Sequence, residues 1–214
     1  LDQTLKNNSY VTIINTNVTR RGSYYDANVT GGMFKFNTKT NEYSVSGGAA
    51  LSQKYYPSDS VGLGHRAVFG FNKQGGNLKF GIGYNEMSDT YDPNDLGFLY
   101  NNNERSGNAY VGYNIYKPFW KFLQFWSNIN LYNARLYNPN EFTYFNVNSE
   151  IGGTFKNWLS AGVFYTIEPI ETYDFYEPRV WGRFYTSQTS NNVGGWFSSD
   201  YRKLAVEFCD LYYK

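Results

Sequence analysis

Apolar and polar residues alternate with a period of two along almost the whole chain. In one segment Val111, Tyr113 and Ile115 alternate with Gly112 and Asn114. This period is typical of a β-strand, because successive side chains of a strand point to opposite faces of the sheet. No segment has the 3.6-residue apolar stripe of an amphipathic helix. The sequence therefore predicts an all-β fold.

The alternation predicts about twelve strands, most of them about ten residues or longer. Strands of soluble proteins usually have about 5–6 residues, whereas a tilted strand of about 9–11 residues crosses the hydrocarbon layer of a membrane. The strand length thus favours a transmembrane β-barrel. The predicted strands are residues 9–19, 27–37, 42–53, 65–74, 78–88, 104–117, 123–136, 143–156, 159–169, 179–187, 193–202 and 204–213.

The predicted connections alternate between short and long. Short ones include Gly75–Asn77 and Lys156–Trp158, and long ones include Lys54–Gly64 and Ser88–Asn103. In an antiparallel up-and-down meander, alternate connections lie at the same end, and outer-membrane barrels have short turns at one end and long loops at the other. No linker or shift of composition marks a second domain. Residues 1–214 are therefore expected to form a single barrel domain or a segment of a larger barrel.

The composition of the polar positions separates two all-β alternatives. A soluble sandwich or barrel puts its apolar face inward, whereas a transmembrane barrel puts it on lipid and lines its lumen with polar residues. Here only 17% of residues are charged, and the polar positions carry mainly Asn, Ser, Thr, Gly and Gln. These residues suit a lumen better than a solvated outer face, which more often carries Lys and Glu. The net charge of +1 gives no indication of a nucleic-acid partner.

The segment from Ala109 to Asn133 shows the predicted orientation in detail. It is predicted as two strands joined at Lys117–Phe122, with amides on the lumen side at Asn114, Gln124, Asn128 and Asn130. Aromatic side chains at strand ends match the interfacial belt of membrane proteins, and Phe119, Trp120 and Phe122 are assigned to it. The residues predicted to face lipid are Val111, Tyr113, Ile115, Leu123, Phe125, Ile129 and Leu131.

Three stretches carry a family resemblance: NSYVTIINTNVTRRGSYYDANVTGG, TYDPNDLGFLYNNN and EPRVWGRFYTSQTSNNVGGWFSSDYRK. They resemble the C-terminal outer-membrane β-barrel region of the DUF5916 proteins of Bacteroidota, and DPNDLGFL, from Asp92 to Leu99, is the most specific piece. The resemblance implies location in the bacterial outer membrane and an N-terminal domain similar to family 9 carbohydrate-binding modules. That domain is absent here, and the end CDLYYK lacks the usual terminal aromatic. We therefore expect a segment of a larger barrel. The resemblance carries over no catalytic residues.

The reactive residues are too few to indicate an enzyme. The single His65 and the single Cys209 cannot form a Cys/His metal cluster, and we expect no catalytic residue, metal or cofactor. The acidic residues between 86 and 95 leave a calcium site open, although their spacing does not fit an EF-hand. Glu150, Glu168 and Glu171 are close in sequence, but no motif selects a hydrolytic pair among them.

Three hypotheses of function follow. The first is a non-enzymatic outer-membrane barrel that binds or transports a glycan or solute, or serves as an accessory subunit of an envelope complex. Its partners would be outer-membrane lipid, a saccharide and other complex subunits, with contacts carried by outer loops such as Ser88–Asn103. The second is a soluble, aromatic-rich β-sandwich or barrel that binds glycans. The third, an outer-membrane enzyme of the phospholipase kind, would need His65 beside a serine.

Overall fold

The computed structural model describes residues 1–22, 24–180, 182–200, 202 and 208–213, the last six as backbone only. These residues form fourteen strands and no helix, so the all-β prediction is confirmed. Consequently the described part of the chain holds no helix able to cross a membrane. The strands are β1 (Asp2–Leu5), β2 (Ser9–Val18), β3 (Asp26–Asn37), β4 (Tyr43–Tyr55), β5 (Val61–Lys73), β6 (Leu78–Met87), β7 (Glu104–Ile115), β8 (Phe122–Leu136), β9 (Phe142–Phe155), β10 (Ser160–Glu168), β11 (Thr172–Asp174), β12 (Tyr185–Ser187), β13 (Ser190–Ser198) and β14 (Phe208–Tyr213).

Twelve of these strands form one sheet, in which β1 to β10 follow each other in chain order and β13 and β14 complete the series. Neighbouring strands run antiparallel, as in the register of β10 with β9 and with β13. β11 and β12 form a separate two-stranded sheet. The antiparallel up-and-down order is confirmed. The sheet of the described residues is not closed into a barrel, because β1 and β14 end the order without pairing to each other.

The nine predicted strands between residues 9 and 169 each coincide with one observed strand, from β2 to β10. The largest difference lies at the start of β5, which begins at Val61 instead of residue 65. The predicted connection Lys54–Gly64 is therefore shortened to residues 56–60. The predicted strand 193–202 corresponds to β13. The predicted strand 204–213 begins outside the described residues and matches β14 over its second half.

The predicted strand 179–187 is wrong over most of its length. Only Tyr185–Ser187 is extended, as β12, and it pairs with β11, which lies between the predicted strands 159–169 and 179–187. Arg179 and Gly182 have positive φ angles of 53° and 76°, and a strand does not accommodate this conformation. The two positions therefore turn the chain before it can continue as a strand.

The chain divides into two compact units. Unit 1 comprises residues 1–72, 82–107 and 134–143, and unit 2 comprises residues 73–81, 108–133 and 144–214. The expectation of a single domain stays a prediction. Among the described residues, no large side chain is fully buried. The buried apolar residues all lie in unit 1: Ala27, Met87, Tyr91, Ala134 and Leu136.

Candidate functional site

One sheet face of unit 2 carries mainly amide, hydroxyl and glycine positions, and we call it the amide face. It is formed by even-numbered positions of β8, β9, β10 and β13. The register fixes this set, because Gly162 lies opposite Gly152 on one side and opposite Trp196 on the other. Its members are Gln124, Trp126, Asn128, Asn130, Asn148, Glu150, Gly152, Thr154, Ser160, Gly162, Phe164, Thr166, Asn192, Gly194, Trp196 and Ser198.

Two indole rings lie flat on this face. A Cβ atom on Gly152 would stand 2.8 Å from ring atoms of Trp126, and one on Gly162 would stand 2.8 Å from the ring of Trp196. Only glycine allows such a close approach of a ring to the strand. The two ring planes differ by 14° and their centroids are 6.1 Å apart. The rings therefore lie side by side across β9 and β10, with both indoles half-buried.

Hydrogen bonds connect the polar side chains on both sides of the indole pair. On one side Gln124 Nε2 donates to Thr154 Oγ1 (3.2 Å), which lies 3.0 Å from Ser160 Oγ. On the other side Glu150 accepts from Trp126 Nε1 (3.3 Å) and Asn128 Nδ2 (3.5 Å). Further along, Thr166 Oγ1 donates to Asn148 Oδ1 at 2.6 Å and Asn130 Nδ2 donates to Asn128 Oδ1 at 3.0 Å. The amide face thus carries three groups of hydrogen-bonded side chains around an aromatic centre.

The opposite face of unit 2 is apolar and exposed, and we call it the apolar face. Among the residues predicted to face lipid, Val111 and Ile129 are about half exposed, at 50% and 49%. Tyr113 and Leu131 are also exposed, while Ile115, Leu123 and Phe125 are half-buried. Ile151, Val163, Tyr165 and Val193 add further exposed apolar side chains to this face. That this surface contacts lipid stays a prediction.

The residues predicted for the interfacial belt form an aromatic cluster at the β7–β8 connection. Phe119 and Phe122 have ring centroids 5.6 Å apart, and Phe122 stacks on Phe155 of the next hairpin at 4.6 Å. Trp120 contacts Phe122 with centroids 6.0 Å apart, but its own side chain is 72% exposed. Lys121 Nζ lies 5.2 Å from the Trp120 ring centroid, where a cation is attracted to the ring face. The cluster therefore places one cation, Lys121, beside an exposed indole ring.

In unit 1 the long loop Ser88–Asn103 folds onto the ends of β4 and β5. Its backbone at Thr90 and Tyr91 passes so close to Gly64 that a Cβ there would lie 2.3 Å from main-chain atoms. Ser52 Oγ accepts a hydrogen bond from the backbone N–H of Asp92 at 3.1 Å. Tyr91 is buried as a result. The loop is thus fixed on the sheet by close backbone contact.

Two ion pairs hold the acidic part of this loop. Asp92 Oδ2 lies 2.5 Å from Lys54 Nζ, and Asp95 Oδ1 lies 2.5 Å from Arg20 Nη2. The Tyr25 hydroxyl also donates to Asp95, at 3.2 Å, and both cations stand 4.9 Å from the Tyr25 ring. Burial opposes ionisation of Asp92, but hydrogen bonds from Lys54 and from the backbone N–H of Asn94 outweigh it and hold the pKa of Asp92 below its usual range.

The ion pairs of Asp92 and Asp95 involve two of the acidic residues that could have bound calcium. The carboxylates of Asp92 and Asp95 point to Lys54 and Arg20, so each carboxylate already has a cation of the protein as its partner. Among the described residues, no group of three or more His, Cys, Asp and Glu side chains is arranged to hold a metal ion. The expected absence of a metal stays a prediction.

Comparison with known proteins gives one match. The family described as a domain of unknown function, DUF5916, matches residues 1–213. The chain belongs to the DUF5916 family. Neither the curated proteins nor the solved structures contain a match to it. The family resemblance in the three quoted stretches is confirmed, while the barrel, carbohydrate and Bacteroidota parts of that resemblance stay predictions.

In this DUF5916 chain, His65 lies inside β5, which begins at Val61, instead of at the start of the predicted strand 65–74. Its Nε2 atom is 3.1 Å from Glu86 Oε1, and Glu86 also accepts from Arg105 Nε at 2.8 Å. Ser88 Oγ accepts the backbone N–H of His65 and lies 3.2 Å from Thr90 Oγ1. The imidazole is therefore engaged with a carboxylate, and the serine beside it is bound to its main chain. This arrangement does not resemble a serine nucleophile activated by histidine.

The three glutamates weighed for hydrolysis have separate surroundings. Glu150 belongs to the amide face, Glu168 Oε1 accepts from the Tyr144 hydroxyl at 3.0 Å, and Glu171 Oε2 lies 3.5 Å from that of Tyr173. The contacts of these carboxylates indicate structural hydrogen bonds to aromatic side chains. The prediction that this DUF5916 chain is not an enzyme remains untested.

The indole pair of Trp126 and Trp196 could not be predicted from the sequence. Trp126 shares the alternation of the predicted lumen residues Gln124 and Asn128, but nothing in the sequence links it to Trp196, seventy positions later. The available signal was the glycine at Gly152 and Gly162, since glycine inside a strand marks a close approach. The identity of the approaching residue depends on the β10–β13 register, which crosses the inserted pair β11–β12.

Proposed function

We propose that this DUF5916 chain is a non-enzymatic outer-membrane β-barrel protein of the bacterial envelope. Its sheet would form the barrel wall, with the apolar face on lipid and the amide face toward a polar interior. Outer-membrane lipid is then its first partner. The work of the barrel would be the binding or transport of a glycan or solute, or support of an envelope complex as an accessory subunit.

The exposed apolar face is the observation that carries this proposal. Ile129, Ile151 and Val163 are each about half exposed, on adjacent parts of one sheet face. Removing a fully exposed aliphatic side chain from water is worth about 1.5–3 kcal/mol, so a continuous face of them favours an apolar environment. Large exposed apolar patches are rare on soluble monomers. Lipid against this face would remove the unfavourable exposure.

The other face and the hairpin ends support the same arrangement. Apart from Glu150, the amide face carries neutral donors and acceptors that bond to each other, as expected for the interior of a barrel. Phe119, Trp120 and Phe122 cluster at the end of the strands, where interfacial aromatics lie in membrane proteins. A membrane-embedded sheet tolerates no open edge. The proposal therefore includes closure of the sheet by pairing at β1 and β14, with each other or with further strands.

The test compares two neighbouring positions on opposite faces of β8. Ile129→Arg places a charge on the apolar face, and Asn130→Arg places the same charge on the amide face. In a bilayer, Arg near the midplane costs about 2–4 kcal/mol on the lipid face and little on the lumen face. We expect Ile129→Arg to lose folding into lipid vesicles, measured by heat-modifiable gel mobility. We expect Asn130→Arg to fold like the parent chain.

Fractionation of cells that make the full-length protein provides the second readout. The proposal requires the protein in the outer-membrane fraction and its release only by detergent. If the protein is soluble without detergent, and Ile129→Arg folds as well as Asn130→Arg, the membrane proposal is wrong. That result would favour the soluble glycan-binding β protein, for which an arginine on an exposed face is tolerated.

A further inference from the structure

The two indole rings form a flat aromatic floor on the amide face. Each ring rests on a glycine, so its lower face is covered by β9 or β10 and its upper face points away from the sheet. The two ring planes are nearly parallel, at 14°, and the rings lie over Gly152 and Gly162, which pair with each other across β9 and β10. Two rings side by side on a strand surface cover their glycines, and this alone would stabilise the sheet. The surroundings of the floor indicate a second role.

Hydrogen-bonding side chains border the floor on two sides. Gln124, Thr154 and Ser160 lie along one border, and Asn128 and Glu150 lie along the other. An apolar plate between two rows of polar groups fits a flat ligand with one apolar surface and polar groups at its rim. A pyranose ring has this chemistry, because its C–H bonds form flat patches and its hydroxyls project around the edge. Amide and hydroxyl side chains both donate to and accept from such hydroxyls.

Glu150 places a negative charge at the border of the floor. Its carboxylate borders the Trp126 ring, to which it is joined by the 3.3 Å bond from Nε1. An ionised carboxylate accepts strong hydrogen bonds from hydroxyl groups and repels an anionic ligand in a partly desolvated place. A neutral sugar is therefore favoured over a uronic acid or a sulfated sugar.

We propose that Trp126, Trp196 and Glu150 form a stacking site for a neutral saccharide chain on the amide face. The two rings accept successive sugar units, and the bordering amides and hydroxyls bind the sugar hydroxyls. The site rests on the proposed function only in one respect, since a solute must be able to reach the amide face. The proposed function names a glycan or a solute as the ligand, and this proposal limits it to a neutral glycan. It also names the residues that would bind that glycan.

The primary test is titration of the full chain, folded in detergent micelles, with linear neutral hexasaccharides. The probes are maltohexaose, cellohexaose and mannohexaose, with hexagalacturonate as the anionic comparison, and the readouts are calorimetry and tryptophan fluorescence. We expect saturable binding of at least one neutral probe, with protection of tryptophan from acrylamide quenching. Hexagalacturonate should bind at least about tenfold more weakly. Absence of saturable binding by all three neutral probes up to about 10 mM would overturn the proposal.

Variants assign the binding to the floor. Because aromatic anchors dominate contact energies, Trp126→Ala and Trp196→Ala should each weaken binding by about tenfold or more. Trp158→Ala is the matched control, since Trp158 is 49% exposed in the β9–β10 turn and lies outside the floor. We expect it to change affinity by less than about twofold. Equal weakening by Trp158→Ala and the two floor variants would contradict the assignment.

Glu150→Gln keeps the side-chain shape and covers the case in which an alanine variant fails to fold. It should reduce the preference for neutral over anionic hexasaccharide, because the repelling charge is gone. If the preference is unchanged, the proposed role of Glu150 in repelling anionic ligands is wrong. A purely structural role of Glu150 would leave this preference unchanged as well, so the measurement separates the two roles. The outcomes also separate the two proposals. Binding by a chain that does not enter vesicles overturns only the membrane proposal, and vesicle insertion without binding overturns only the saccharide site.

Discussion

Gly64 of unit 1 and two glycines of unit 2 are covered in different ways, although unit 1 also has Gly47 under the Phe34 ring, 2.8 Å from an added Cβ. In unit 1, Gly64 lies under the backbone of the chain's own loop, whose atoms would stand 2.3 Å from an added Cβ. In unit 2, Gly152 and Gly162 lie under indole rings, which would stand 2.8 Å from an added Cβ. Both devices need glycine for the close approach. They differ in the surface that faces away from the sheet, which is a loop over Gly64 and an aromatic ring over Gly152 and Gly162.

The loop over Gly64 is held on its flanks by the ion pairs of Asp92 with Lys54 and of Asp95 with Arg20, so its surface belongs to a fixed segment of the protein. The indole rings are held mainly by contact with glycine and by the bond of Trp126 to Glu150. A backbone loop fills a sheet face, whereas flat rings cover a strand and still offer an aromatic surface. This difference is why the saccharide site is assigned to unit 2.

The largest expected effect comes from Gly64→Ala. The methyl group would collide with main-chain atoms of Thr90 and Tyr91, which cannot move aside without displacing the loop. We expect a loss of about 3 kcal/mol or more in the free energy of unfolding, since overpacking against backbone is relieved only by a shift of the chain. Urea unfolding of the detergent-folded chain measures this loss.

Gly107→Ala is the control for that experiment. Gly107 is also a strand glycine of unit 1, but the nearest atom to an added Cβ is 3.9 Å away. Alanine should be neutral or stabilise the strand by up to about 1 kcal/mol, because glycine loses more conformational entropy on folding. If Gly64→Ala and Gly107→Ala unfold at the same urea concentration, the loop is not fixed over Gly64.

Gly162→Ala should have an intermediate effect. The obstructing atoms belong to the Trp196 side chain, which can tilt away from the strand. We therefore expect a loss of about 1–2 kcal/mol, with a shift in tryptophan fluorescence as the ring leaves its place. Gly112→Ala in β7 is the control, because its closest approach is an ordinary 3.6 Å to Ser127 O. A stability loss without a fluorescence shift would show that the ring does not rest on Gly162.

The long strands could be predicted from sequence because their signal is local. Alternation along β6 from Leu78 to Tyr84 requires only that neighbouring side chains point to opposite faces. The prediction failed at the start of β5, which lies in the predicted connection Lys54–Gly64. Gly62 and Gly64 were assigned to a loop, yet both lie in β5, and Gly64 is there because another segment passes over it.

The candidate site was less predictable, because it depends on distant pairing. Trp196 meets Trp126 only when β13 pairs with β10. The sequence between β10 and β13 predicts an additional strand of the same sheet, so it does not indicate this pairing. Arg20 and Asp95 are likewise 75 positions apart and meet through the folding of the long loop. Such contacts leave no periodic trace in the sequence. The polar and apolar faces were predictable, whereas the residues that meet across a face were not.

The smallest expected effect concerns pH and the loop of unit 1. A carboxyl group with a lower pKa in the folded state binds fewer protons there, so it stabilises the fold above its unfolded pKa, about 3.9 for Asp. This contribution is lost as the pH falls through the lower folded pKa of Asp92. Because the Asp92 side chain is 35% exposed, solvent screening limits its worth to about 1 kcal/mol or less.

Hydrogen exchange at the Asn94 N–H, which donates to Asp92 Oδ1 at 3.0 Å, reports this step. After correction for the pH dependence of intrinsic exchange, we expect protection to decrease below about pH 4 in the parent chain. Lys54→Met removes the cation, so the folded pKa rises and protection should begin to fall at a higher pH. An acid step that stays in place in Lys54→Met would mean that Lys54 does not lower the pKa of Asp92. In that case the Lys54–Asp92 ion pair would add nothing to the hold on the loop over Gly64, and the difference between Gly64 and the glycines of unit 2 would rest on the other contacts of the loop.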